Sequence, residues 1–296
     1  MSKKIYLCLF GGLGNQLFQY AYARNLQIKY KCDLVLDHKT GFFIDLRDKR
    51  RFELINYTTK VTKKIIFFFT VFKIYKKIFG FNKKVFSFLN KKLFDETNSK
   101  SFKKLFLQIN AQSFELYLHG FFQSDKYFLE NKSLILKDIM PDKPKNKTFL
   151  NLAKKIKNKK SIAICIRRFN EVKSDDIKKV GGKLNENFYN KNLHFFKDKV
   201  TKPHFYIFSN EDNYELFNFL KKLHLKKKDY TLVTPSKGFK NPHDTLWLLS
   251  LFKYQLISNS TLYWWGAYFA KHRFKKVFVK YPRNFPNKDT VYRGIF

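Results

Sequence analysis

A chain of 296 residues that is 44% hydrophobic, with 36 phenylalanines and 17 tyrosines, buries a substantial core and is too apolar for a disordered basic tail, despite a formal charge of +37. Three cysteines, Cys8, Cys32 and Cys165, are odd in number and lack metal-ligand spacing, which argues against a disulfide framework or a zinc site and for reduced thiols in a cytoplasm. The run Ile65–Phe72 falls far short of the roughly 20 apolar residues that cross a bilayer, and Ile5–Phe10 is too short for a signal-peptide core. The excess charge is almost all lysine. It points to nucleic acid, anionic lipid or an anionic small substrate, with a solvated lysine-rich surface as the simplest alternative.

In chain order, Lys4–Phe10 is a short apolar run cut off by Gly11-Gly12-Leu13-Gly14. Helical periodicity then runs through Leu17, Tyr20, Ala21 and Leu26. Asp33–Asp37 supplies a second strand, and the resulting βαβ unit demands a parallel sheet with a right-handed crossover. From Thr59 to Phe94 aromatic residues interleave with lysine pairs. This pattern is expected to form basic amphipathic helices, either packed with lysines in water or lying on an anionic membrane surface.

Pro141–Lys147 has two prolines and no apolar anchor, so it marks the expected boundary between a domain of residues 1–145 and one of 146–296. Beyond it, Ser161–Ile166, His204–Phe208, Tyr230–Val233, Tyr254–Ser258 and Lys276–Val279 read as strands. Asp212–Lys222, His243–Phe252 and Leu262–Ala270 read as helices between them. Strands alternating with helices at this spacing predict a second doubly wound α/β domain.

Ligands of such sheets sit at the carboxyl ends of the strands. There the sequence places Arg167 and Arg168, Ser209-Asn210-Glu211-Asp212, and Asn259-Ser260-Thr261. Guanidinium, hydroxyl and amide groups at a helix start make an anion site, because backbone N–H groups and the helix dipole both favour phosphate. The glycine turn lacks the Lys-Ser/Thr of a P-loop, and taken alone it signals only tight strand-to-helix packing or close approach of backbone to a ligand.

Three spaced segments carry a resemblance. Gly11-Gly12-Leu13-Gly14-Asn15-Gln16-Leu17-Phe18-Gln19-Tyr20-Ala21 resembles the N-terminal signature of the bacterial α-1,2-fucosyltransferase family. Gly120-Phe121-Phe122-Gln123-Ser124 is similar to its G-[YF]-[FW]-Q segment, and Asn259–Tyr268 to its N-S-T-x-S-W-W-[AG]-A stretch. A fourth segment departs: where the family writes H-[IV]-R-R-G-D-Y, this chain has Cys165-Ile166-Arg167-Arg168-Phe169-Asn170-Glu171.

The resemblance implies a GT-B architecture of two facing Rossmann-like domains. It also implies inversion at the anomeric carbon, and transfer of L-fucose from GDP-fucose to the 2-hydroxyl of a galactose-type residue in an oligosaccharide or lipid-linked surface glycan. The altered arginine segment keeps another donor, such as a GDP-deoxyheptose, in view. No metal and no further cofactor are expected. The sequence has no D-x-D, so Arg167 is the expected electrophile on the departing diphosphate, with Arg168 beside it. Ser209, Asp244, Asn259, Ser260 and Thr261 are expected on the donor from the C-terminal domain, and Gly12, Gly14, Asn15 and Gln16 from the N-terminal one. Asp244 serves equally well as a helix N-cap. Trp264 and Trp265 read as core more readily than as a sugar platform.

His119 and Gln123 are acceptor-side candidates. For the base, Asn170 stands where an acid is expected, leaving Glu171, Asp175 and Asp176 as the nearest carboxylates. A nucleic-acid-binding protein is the rival of another class. It has the charge and aromatics in its favour, but no RNP, KH, helix-turn-helix or zinc signature. The expected location is cytoplasmic, with peripheral contact at the inner membrane face.

Overall fold

A computed structural model describes residues 3–43, 50–55, 57, 61–79, 93–96, 114–157, 160–169 and 182–282. The chain divides into two units, Met1–Ile139 and Met140–Phe296, each built on its own parallel sheet. The α/β class expected from the sequence holds for both.

In the first unit, β1 (Lys3–Cys8) is central because Ile5, Leu7 and Cys8 are wholly buried between neighbours on both sides. Ile5 stands opposite Leu34 of β2 (Asp33–Asp37) and opposite Leu116 of β5 (Phe114–His119). The order is β3-β2-β1-β5-β4, with edges β3 (Thr62–Lys64) and β4 (Leu93–Asp95). The α1 helix (Leu13–Tyr30) is buried over most of its length, including Gln16 and Gln19, so it lies inside the unit and has no wet face there. Asp37, wholly buried at the end of β2, accepts hydrogen bonds from the amides of Lys39, Thr40 and Ile66. One carboxylate thus joins β2 to α2 (Thr40–Phe43) and to the lead-in of α3 (Phe67–Phe79). The α4 helix (Lys132–Ile139) packs on α1 through the Arg24–Asp138 ion pair at 2.8 Å.

The basic stretch 59–94 is not wholly helical. Only α3 is an α-helix among its described residues, and both flanks pair as edge strands, Thr62–Lys64 beside Val35–Asp37 and Leu93–Asp95 beside Tyr117–His119. Three residues of edge strand carry too little alternation to be read from sequence.

In the second unit the order is β10-β9-β6-β7-β8. All six residues of β6 (Ser161–Ile166) are buried, as suits a central parallel strand. Its neighbours are β7 (His204–Ser209) and β9 (Tyr254–Leu256), flanked by β8 (Tyr230–Val233) and β10 (Phe278–Lys280). Helices α5 (Lys147–Lys157), α6 (Glu186–Lys199), α7 (Tyr214–Lys221), α8 (Pro242–Leu249) and α9 (Thr261–Arg273) cover the sheet. Asn185, Asn213 and Asn241 cap α6, α7 and α8, their side-chain oxygens accepting from Phe188, Leu216 and His243 amides. Cys8, Cys32 and Cys165 are all buried free thiols. Burial pushes Cys8 up to about 12 and Cys32 up to about 11, and holds Cys165 well above the usual range.

Candidate active site

The second unit gathers its polar residues at the carboxyl ends of β6, β7 and β9. Tyr263, in the first turn of α9, sends its buried hydroxyl toward the carbonyls of Ile166, at 3.3 Å, and Phe208, at 3.5 Å. That reach ties the start of α9 to the ends of two strands. Burial raises the Tyr263 phenol far above its ordinary value, so it stays protonated and donates. Tyr189 does the same from α6, donating to the Cys165 carbonyl at 3.2 Å. Arg167 follows Ile166 directly and is close enough to Tyr263 for its charge to act on that phenol; its guanidinium lies 5.1 Å from the Phe169 ring centroid.

Ser260 is the N-cap of α9, yet its side chain makes no capping hydrogen bond, and the first turn carries no acidic residue. Ser260 and Thr261 are half-buried, with solvent access. A helix start with amides unspent on a side-chain cap, two hydroxyls and a neighbouring arginine suits a phosphate oxygen. Asn259 steadies the turn, its amide donating to the Gly182 carbonyl at 2.8 Å. Ser209 is buried and accepts from the Glu211 amide at 3.2 Å, shaping the end of β7.

Arg168 is not equivalent to Arg167. It donates to Glu215 at 3.1 Å and to the Leu184 carbonyl at 3.1 Å, and its guanidinium lies over Phe219 at 4.4 Å. These contacts make it a brace between β6, α7 and the approach to α6. Burial works to raise Glu215, but hydrogen bonds from Lys183 and Arg168 outweigh it and hold the carboxyl below its ordinary value. For Asp244, the N-cap alternative is corrected. The cap of α8 is Asn241, and Asp244 sits in the first turn, half-buried, with burial pushing its pKa up. Trp264 and Trp265 are wholly buried, as core. Asn170, Glu171, Asp175 and Asp176 lie outside the described residues.

In the first unit, Gly11 takes φ 75°, a left-handed conformation that favours glycine, and Gly12 precedes α1 as its N-cap. Gln16, expected on the donor, is wholly buried and fully used. Its amide donates to the carbonyls of Gly11 at 2.8 Å and Arg51 at 2.9 Å, while its oxygen accepts from the Glu53 amide at 2.9 Å. It straps the 50–53 segment onto the glycine turn. The Glu53 carboxylate in turn accepts from the Leu13 amide, although burial raises its pKa overall. The Arg50 guanidinium comes within 3.6 Å of where a side chain on Gly12 would begin. Gly14 is buried in the first turn of α1.

Asn15 accepts from Gln123 at 3.0 Å, so the first and second signature segments meet in space. Gly120 lets Glu96 sit close against this segment, since a Cβ there would lie 2.6 Å from Glu96 Cβ. The Glu96 carboxylate accepts from the amides of Phe121, at 2.7 Å, and Phe122, at 2.8 Å, and from the Tyr127 hydroxyl at 3.2 Å. His119 is buried, with its ring 5.0 Å from Phe10 and 5.2 Å from Phe72. Sequence reasoning missed Arg50, Glu53 and Glu96. One signal was present for the first: of only nine arginines in the chain, four form the pairs 50–51 and 167–168.

The family model for Glycosyl transferase family 11 matches residues 4–293, both units and all four segments. The chain belongs to this glycosyltransferase family. It is similar to an α-1,2-colitosyltransferase of Escherichia coli, 27% identical over 266 residues that cover 89% of this chain and 87% of that protein. It is also similar to the O-antigen biosynthesis glycosyltransferase WbnK of Escherichia coli, 29% identical over 284 residues, covering 89% of each. Among solved structures, a variant of Arabidopsis thaliana FUT1 in complex with GDP superposes with a TM-score of 0.52 at 13% identity, covering 90% of this chain and 68% of that one. The fucosyltransferase NodZ from Bradyrhizobium gives 0.50 at 10% identity, covering 91% and 93%. These two likenesses establish the fold.

Phe169, standing where the resembled motif has glycine, has φ 58°, a left-handed conformation that glycine adopts most cheaply. Burial of its ring, only 5% exposed and beneath Arg167, offsets strain on the order of 1–3 kcal/mol.

Proposed function

We propose that this family member transfers L-fucose from GDP-fucose to a hydroxyl of a surface glycan, the 2-hydroxyl of a galactose-type residue, with inversion and without a metal ion. The observation that carries this reading is the Tyr263–Ile166 hydrogen bond of 3.3 Å, which ties the backbone just before Arg167 to the first turn of α9, the helix that starts at Ser260 and Thr261. The bond from the anomeric carbon to the β-phosphate oxygen breaks as the acceptor oxygen bonds from the opposite face. Arg167 and the α9 amides take up the charge appearing on GDP, more strongly at the transition state than before it. Asn259, Ser209 and Asp244 shape the donor pocket of this unit. In the first unit, Gly12, Gly14 and Asn15 remain the donor candidates, with Arg50 beside Gly12 added to them. His119 and Gln123 line the acceptor side. The acceptor proton passes to a carboxylate, Glu171 being the candidate, or to water in a loosely coupled path.

A second donor, colitose, is favoured by the name of one relative and by the altered arginine segment, and a GDP-deoxyheptose stays with it. A panel of GDP-fucose, GDP-colitose and GDP-deoxyheptose, followed by GDP release in excess EDTA, tests both donor and metal. Turnover of GDP-fucose above the others supports the first reading, preference for GDP-colitose replaces it with the second, and a strict need for Mn²⁺ overturns the metal-free mechanism. The nucleic-acid rival is tested by melting: GDP is expected to raise the melting temperature and oligonucleotides are not.

A further inference from the structure

We infer that α3 docks this protein on an anionic membrane surface, its outward face entering the interfacial layer. The helix is apolar on two opposite faces. Phe69 and Phe72 are wholly buried and pack with Cys8, Tyr6, Phe10 and Tyr117. Phe67, Val71 and Ile74, at i, i+4 and i+7, form a second stripe that is 79%, 39% and 47% exposed. Ile65, just before the helix, is 59% exposed. The neighbouring α2, joined to α3 by a 3.3 Å contact between the hydroxyls of Thr40 and Thr70, ends on Phe43, 83% exposed. Single exposed apolar residues are ordinary; a helical stripe with a bulky ring at its head is not.

Charge selects the occupant. From Leu54 to Phe94 the sequence has ten lysines and no Asp or Glu. A second copy of this chain, itself at +37, would bring like charge to the exposed Lys64 that leads into the helix. An anionic bilayer attracts the lysines and accepts phenylalanine, valine and isoleucine at the acyl boundary. The helix is 13 residues long, suited to lying in the interface and too short to cross the bilayer. This inference stands apart from the donor reading, since it needs no sugar nucleotide.

The test is co-sedimentation of the full-length protein with vesicles of phosphatidylcholine alone or with about a third phosphatidylglycerol, at low and high salt. Wild type is expected to bind the anionic vesicles at least tenfold more tightly than the neutral ones, with binding falling as salt rises. A Phe67→Ser/Val71→Ser/Ile74→Ser variant is expected to lose tenfold or more of that binding, at unchanged melting temperature and unchanged GDP release with a soluble acceptor. Leu134→Ser, an exposed apolar change on α4, is expected to bind as wild type does. In a Phe67→Trp variant, anionic vesicles are expected to shift the emission to the blue. Wild-type failure to bind, a triple variant that binds like wild type, or no blue shift would each overturn the inference. So would a stripe whose loss converts a dimer to a monomer without changing vesicle binding.

Discussion

The two strand-to-helix turns of this transferase, before α1 and before α9, differ in what they leave open. Before α1, the glycine turn is closed on itself: Glu53 takes the Leu13 amide and Gln16 is spent on the 50–53 segment. Before α9, Ser260 makes no capping bond and the first turn holds no carboxylate. A helix start that already holds a carboxylate is a poor seat for a phosphate, so the difference favours α9 over the glycine turn for the proposed diphosphate contact.

The sharpest way to break that contrast is Arg167→Ala. The expected loss is about 10²–10³ in kcat, roughly 2.7–4 kcal/mol of transition-state stabilisation, with the melting temperature unchanged. A normal rate would remove α9 and its arginine from the chemistry. Gln16→Leu probes the other turn. It leaves two carbonyls and an amide without their partner and is expected to cost about 1–3 kcal/mol in urea unfolding, while kcat per folded molecule changes little. A rate loss as large as that of Arg167→Ala would erase the distinction between the turns. Tyr263→Phe tests the tie between α9 and its own sheet: a cost of about 1 kcal/mol in stability, with a smaller fall in kcat than for Arg167→Ala.

The smallest effect is in pH. Glu215 is held below its ordinary 4.5 in the folded protein, so its contribution is present above that value and fades as pH falls through the lower, folded one. Melting temperature is therefore expected to drop on acidification below about 4.5, and less so in Glu215→Gln, which starts lower at neutral pH. An identical acid profile in the variant would show that Arg168 braces the loop without help from this carboxylate.

Much of the fold was legible because parallel strands buried on both faces are continuous apolar runs, as Ile162–Ile166 shows. The three strand ends that carry polar residues were found by the same rule. What escaped were residues defined by distant partners. Nothing in the Glu53 or Glu96 neighbourhoods announces that the first reaches Leu13 and the second Phe121 and Phe122. Gln16 was misassigned for the same reason, since its place in a glycine signature says nothing of a segment 35 residues onward. The Asn241-Pro242 pair was the better capping signal than Asp244, because asparagine before a first-turn proline is an N-cap arrangement.

The seclusion of every thiol has a practical consequence. Cys8, Cys32 and Cys165 are buried and protonated at neutral pH, so maleimide finds no native handle on the folded enzyme. One cysteine introduced on the surface would be its sole labelling point, and a single dye there would report donor or vesicle binding from one known place.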